Sequence, residues 1–352
     1  MQGGGYITCF KCYISGRIAV SISAIVMAGC LSLAAYAEDT AVPAVAASVP
    51  PATAEMGTGS ATGLLEELDE PRDYLSLEVV DFSTRIDHFF GDERYFQEHN
   101  KSVIQLEASE LMEAAGNSTL TFDGQAKLDL PAAQRRFQLV LESNPEKRTT
   151  VDNKKNEQVI TQSNVASSDK YAASLRFDKA PVESPWHFSA DAGAKVQFPL
   201  EPFVRTRGSY SLPVYDWRFK LAETVFWFGS IGLGETTQFD LEHILSKPVL
   251  FRATTNATCY DEPKHCDLRQ DLAVFHTLDE RSALVYQLSV LGTNQPAYTE
   301  TAYILLLRYR YRLHRDWIFL ETTPQLNFPK TDDFKMNPAL FLRLEMLFGA
   351  PQ

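Results

Sequence analysis

The sequence is short of cysteine, of basic charge and of long apolar stretches, and each shortage narrows what it can be. Five of 352 residues are cysteine, and Cys9, Cys12 and Cys30 all precede residue 38. Forty-five acidic residues outnumber 33 basic ones, a formal net charge of −12, which removes any general electrostatic reason to expect nucleic acid as a partner. A mean hydropathy of −0.19 excludes a polytopic helical membrane protein. With 45% hydrophobic residues the chain is not disordered either. Neither number excludes membrane strands, whose alternating apolar and polar residues average to something that looks soluble. No P-loop, G-x-S-x-G or H-E-x-x-H pattern occurs, so the expectation is a protein without cofactor or metal.

What is present begins with an export address. Lys11 and Arg17 form a basic start, Ile18 to Leu33 an apolar core, and Ala35-Tyr36-Ala37 a small-x-small cleavage site before Glu38. Residues 1–37 therefore read as a signal peptide. Met27-Ala28-Gly29-Cys30 offers a competing lipoprotein reading, although the residues after it are unusually apolar for that role. Losing Lys11 and Arg17 moves the net charge from −12 to −14. Cys259 and Cys266 remain, and a disulfide closing the short loop between them suits an oxidising compartment. Metal ligation by Cys259, His265 and Cys266 competes with it but lacks an evident fourth ligand.

Residues 38–63, rich in Ala, Pro, Ser, Thr and Gly, read as a flexible linker, and 64–100 as a periplasmic segment or lumen plug. Within it Leu75, Val79, Phe82, Ile86, Phe89 and Phe90 recur at helical spacing, with Gly91 as a stop. The spacing predicts a short amphipathic helix. Asp81, Asp87, His88, Asp92, Glu93 and His99 could be drawn as a metal site, but a solvated charged face is the simpler reading.

From Asn100 the period changes to two. Tyr303, Leu305, Leu307, Tyr309, Tyr311 and Leu313 share one face of a strand whose other face carries Ile304, Leu306, Arg308, Arg310 and Arg312. Each of those arginines would cost ~2–4 kcal/mol facing lipid at mid-membrane, so they must point to water or to acids. The same alternation defines fourteen runs: 103–112, 119–130, 135–143, 171–178, 186–198, 202–212, 216–228, 232–244, 249–259, 269–278, 282–292, 299–313, 316–328 and 338–348. One conflict stands out. In 216–228 strict alternation puts Glu223 on the apolar face, and a bulge near Ala222 would return it to the polar side.

The connections give an independent test. Long ones, 144–170, 260–268, 293–298 and 329–337, follow odd-numbered runs, and the short turns at Leu130 to Ala133, Ser246 to Pro248, Leu278 to Arg281 and His314-Arg315 follow even ones. That parity, with aromatic residues at the stripe ends, predicts an all-β fold: a transmembrane antiparallel up-and-down β-barrel of fourteen strands, or twelve, over residues 101–349. A soluble β-sandwich is the competing architecture.

Asp87-His88-Phe89-Phe90 ahead of Asn100-Lys101-Ser102, then Leu128-Asp129-Leu130-Pro131, Glu223-Thr224-Val225-Phe226-Trp227, Leu305 to Arg310 with Arg315-Asp316-Trp317, and Leu344 to Gly349 form a recognisable set. With these the chain resembles an uncharacterised family of proteobacterial outer-membrane β-barrel proteins. The resemblance implies a membrane barrel and no catalytic residues. The chain's end, Met346-Leu347-Phe348, is similar to the aromatic terminus read by the outer-membrane assembly machinery.

The expected location is thus the outer membrane of a Gram-negative bacterium, with the amino-terminal segment in the periplasm. Expected partners are outer-membrane lipid and lipopolysaccharide, the assembly machinery and small solutes. Arg308, Arg310, Arg312 and Arg343, with Glu321 and Glu345, are candidates for a lumen charge network. The network would favour anionic solutes, receive Asp81, Asp87, Asp92 and Glu93 of an entering plug, or merely brace the wall. A passive channel or structural component is the favoured function. The alternative is a lipid- or lipopolysaccharide-modifying enzyme, for which His187-Phe188-Ser189 is the nearest local motif.

Overall fold

The computed structural model describes residues 80–91, 96, 102–114, 116–130, 137–149, 171–179, 185–295, 297–315 and 317–349. The residues expected to form a leader and a linker, and both Asp92 and Glu93, lie outside them. Fourteen strands follow one another: β1 (Val103–Glu113), β2 (Ser118–Asp129), β3 (Phe137–Ser143), β4 (Tyr171–Lys179), β5 (Trp186–Lys195), β6 (Glu201–Val214) and β7 (Trp217–Phe228). The second half holds β8 (Gly232–Ser246), β9 (Val249–Tyr260), β10 (His265–Thr277), β11 (Ser282–Thr293), β12 (Thr299–His314), β13 (Ile318–Pro329) and β14 (Asn337–Phe348). Each pairs antiparallel with its chain neighbours, and β1 closes on β14 from Ile104↔Phe348 to Glu113↔Ala339. The result is a closed barrel of fourteen strands, not twelve.

Closure fixes where each face points. Outward-facing Phe122 is 59% exposed, Leu175 47% and Leu305 49%, whereas Lys127, Arg176, Arg269, Arg310 and Arg343 are buried. That inverts a soluble protein, whose charges lie outside. Among the described residues, two helices bear on the lumen: α1, residues 80–90, and α2 (Pro145–Thr149), which follows β3. Among the described residues no helix is long and apolar enough to cross a membrane, which says nothing of strands.

Two boundaries differ from the expectation by more than two residues. β10 begins at His265, four residues early, so the supposed long connection shrinks to residues 261–264. Cys266 and Cys259 are direct cross-strand partners joined by a disulfide with Cα atoms 4.0 Å apart, which extends the ladder to the turn. β5 stops at Lys195 because the Gln197 N–H donates to the Lys195 carbonyl and turns the chain out of the sheet.

The predicted bulge at Ala222 is absent. Pairing runs without a shift from Phe203↔Phe228 to Val214↔Trp217 and from Trp217↔His243 to Phe228↔Gly232. Glu223 therefore stays on the outward face, between Leu221 and Val225. Thr237, its cross-strand partner, compensates by donating its hydroxyl to Glu223 Oε2 at 2.7 Å.

Candidate functional site

Alternation sends every second side chain inward, and register decides which of them meet. Three times the register sets an acid on a middle strand between arginines on both neighbours. Arg176, Asp191 and Arg205 form one such row across β4, β5 and β6. Arg218, Glu242 and Arg252 form a second across β7, β8 and β9. The third, Arg310, Glu321 and Arg343, crosses β12, β13 and β14.

The contacts are short. Arg176 grips Asp191 with Nε at 2.6 Å and Nη2 at 2.8 Å, and Arg205 Nε reaches Asp191 Oδ2 at 2.5 Å. Arg252 Nε donates to Glu242 Oε1 at 2.7 Å, and Arg218 Nη1 lies 3.3 Å from Glu242 Oε2. Arg343 Nη2 donates to Glu321 Oε2 at 2.6 Å, and Arg310 Nη1 stands 3.5 Å away from the same oxygen. Arg308 Nε lies 3.4 Å from Glu321 Oε1. Buried acids and bases brought together in this way satisfy charges that would be costly alone.

In each row one arginine holds a second carboxylate and lies over a phenylalanine ring. Arg205 binds Glu142 of β3 at 2.8 Å and sits 5.8 Å from the Phe203 centroid. Arg310 takes Glu345 of β14 through both terminal nitrogens, at 2.9 and 3.1 Å, and lies 4.3 Å from the Phe319 centroid. Arg252 lies 4.9 Å from the Phe275 centroid, and its second carboxylate is Asp87 of α1, 2.7 Å from Nη2. Only this row draws that carboxylate from a helix.

The remaining contacts of α1 explain how Asp87 arrives there. Phe82, Ile86 and Phe90, at four-residue spacing, form one cluster with the inward-facing Leu250, Ala273, Phe275, Ala283 and Val285. Burying each of the three large side chains is worth roughly 1.5–3 kcal/mol before ordering costs. Phe89 meets the Phe319 ring edge-on at 5.8 Å, and Arg312 lies 5.7 Å from the Phe89 centroid. Ser83 donates to Glu242 Oε2 at 2.7 Å and accepts from Arg252 Nη2 at 3.0 Å. Leu250 and Arg252 begin β9, Phe275 ends β10, and Phe319 begins β13, so α1 sits at the end of the barrel where the short turns lie.

At the opposite end α2 folds inward. Glu146 pairs with Lys195, Thr236 donates to the Thr149 carbonyl at 2.9 Å, and Arg148 Nη1 reaches Gln125 at 2.6 Å. Nothing in the sequence had marked this segment.

The predicted residues distribute as follows. Arg308, Arg310, Glu321, Arg343 and Glu345 are brought together on β12 to β14, with Arg343 Nη1 3.8 Å from Glu107 of β1. Arg312 meets α1 through Phe89. Asp87 meets Arg252, a residue not among the candidates, while Asp81 is exposed. The rows on β4 to β6 and β7 to β9 were missed, although each member falls on a polar face by alternation. His187 Nε2 lies 3.1 Å from Asp178 Oδ1, and Ser189 is the cross-strand partner of Asp178. All three face inward, away from the apolar exterior that a lipid substrate would approach.

No family model and no curated protein matches the chain. Among solved structures it is similar to the outer membrane channel DcaP of Acinetobacter baumannii, at 7% identity over 70% of this chain and 96% of that one, TM-score 0.40. It is similar to OprB of Pseudomonas putida in its high-pH structure, at 9% identity over 74% and 97%, TM-score 0.43. A bacterial polysaccharide outer membrane secretin gives 12% identity over 71% and 99%, TM-score 0.41. Likeness at this level bears on neither activity nor solute.

Proposed function

We propose that the chain spans the outer membrane of a Gram-negative bacterium and works as a passive channel for small solutes. In this reading α1 and the segment around it form a periplasmic plug at the short-turn end, and the lumen has no enzymatic role. Residues 1–37 act as the export signal, residues 38–63 as a flexible linker, and Met346 to Phe348 as the mark for the assembly machinery. Lipid and lipopolysaccharide surround the exterior.

One observation carries the reading: α1 lays Phe82, Ile86 and Phe90 on inward-facing Phe275 and Val285 and sets Asp87 on Arg252. A segment held by both an apolar patch and an ion pair is seated, and its departure would leave that part of the wall to solvent. The exposed apolar exterior supports the membrane setting, since a band of that size in water would be an aggregation site.

Planar-bilayer conductance of the refolded protein tests the channel. Ohmic steps that become larger or more frequent without residues 38–100 are the expected result. Absence of steps in both forms would overturn it. Gel mobility tests the barrel in membrane mimics: the unboiled protein should migrate differently from the boiled one.

A further inference from the structure

The three Arg–acid–Arg rows share one plan, and the source of the second carboxylate sets one of them apart as a ligand site. Arg205 and Arg310 receive their second carboxylate from wall strands, through Glu142 and Glu345. Arg252 receives its own from Asp87, on an element that is not part of the wall. Counted alone, the row Arg218, Glu242 and Arg252 carries one net positive charge. Its guanidinium lies over the Phe275 ring, which is itself packed with Leu250, Ala273, Ala283 and Val285. A cation beside an apolar wall is a site for an anion with an apolar body.

Resting on the plugged-channel reading, we propose that this site binds an apolar monocarboxylate and that α1 occupies it as a tethered mimic. The Asp87 carboxylate takes the place of the ligand's own, and Phe82, Ile86 and Phe90 take the place of its body. Asp87 lies next to Ile86 and within one turn of Phe90, so the apolar patch starts beside the carboxylate and extends about 5 Å along the helix. That length suits a phenyl ring on a short chain or a chain of about five methylenes, and not acetate. Binding is a competition. The chain that joins α1 to β1 gives the helix an effective concentration in the millimolar range, so a free carboxylate of comparable affinity unseats it only when it too is millimolar. The channel would thus open to the class of solute that its plug imitates.

The test uses the full chain in lipid nanodiscs with a spin label at Arg85→Cys, an exposed position on α1. The probes are 4-phenylbutyrate, its uncharged amide and acetate. Phenylbutyrate should mobilise the label with a half-effect at millimolar concentration, and the amide and acetate should need at least tenfold more. In Asp87→Asn, which keeps the shape and drops the charge, the half-effect should fall at least fivefold. Two results would overturn the proposal: a wild-type label unmoved by phenylbutyrate at 50-fold the expected concentration, or an amide as effective as the acid. An unchanged half-effect in Asp87→Asn would also overturn it, because Asp87 would then not hold the helix. These readouts need no conductance, so failure of the ligand proposal and failure of the channel reading give different results.

Discussion

Gly91 and Glu345 fit together only because Gly91 has no side chain: a Cβ at its position would stand 2.5 Å from Glu345 Oε1. Gly91 also closes α1 at φ +60°, donating its N–H to the His88 carbonyl, a conformation that costs other residues about 1 kcal/mol. Glu345 cannot step aside, because both terminal nitrogens of Arg310 hold it. Gly91→Val should therefore unseat α1 while leaving the barrel intact. A label at Arg85→Cys should become mobile without ligand, and gel mobility of the unboiled protein should be unchanged.

Arg310→Met should destabilise the barrel by about 3 kcal/mol, since it leaves Glu345 and Glu321 buried with one cation fewer. Adding Glu345→Leu should recover part of that loss. Denaturant titration of the folded band in vesicles would measure both, and equal stability of the single and double variants would contradict the pairing.

Glu223→Leu should act the other way. Its carboxylate sits mid-strand on the outward face with Thr237 as its hydrogen-bond donor. Replacing it should raise stability in lipid by on the order of 1 kcal/mol. In detergent, where water reaches the surface more readily, the gain should shrink.

The turn between β10 and β11 should be acid-sensitive. Asp279 accepts from the Arg281 N–H at 2.7 Å and from the Ser282 hydroxyl at 2.8 Å, and the first of these, above all, holds its carboxyl below the ordinary range. A depressed pKa means that the stabilisation is complete above the unfolded value and is lost as pH falls through the folded one. Exchange of the Arg281 amide should therefore quicken in acid, and Asp279→Asn should remove most of that pH dependence.

Loss of the disulfide through Cys259→Ser should cost about 2 kcal/mol, the value for closing a loop this short. The barrel should still form, because the Cys266 and Cys259 positions are already paired within a ladder that runs to His276↔Val249. Urea midpoints with and without the substitution would measure the cost.

The strands were legible because alternation is local: Leu305 and Arg308 declare their faces without knowledge of a neighbour. Register is not local. Arg176, Asp191 and Arg205 all read as polar-face residues, but that they share one row depends on how β4, β5 and β6 slide against each other. The Glu223 conflict was legible too, and it was resolved the wrong way. A single outward carboxylate with a threonine donor costs less than breaking two unbroken ladders. The role of Asp87 as an ion-pairing residue was visible in its acidic character, while its partner Arg252 was hidden in a strand whose helix neighbour is more than 160 residues away in sequence.

The three rows together involve nine of the fourteen strands. Each row ties three adjacent staves like a hoop segment, so the wall resists ovalisation at just the places where a wider passage would have to form. Any change in bore is then left to pieces that are not strands of the wall. On the plugged-channel reading the braced wall is a rigid cask with α1 as its bung, and leakiness should then depend on temperature through the bung rather than through the staves.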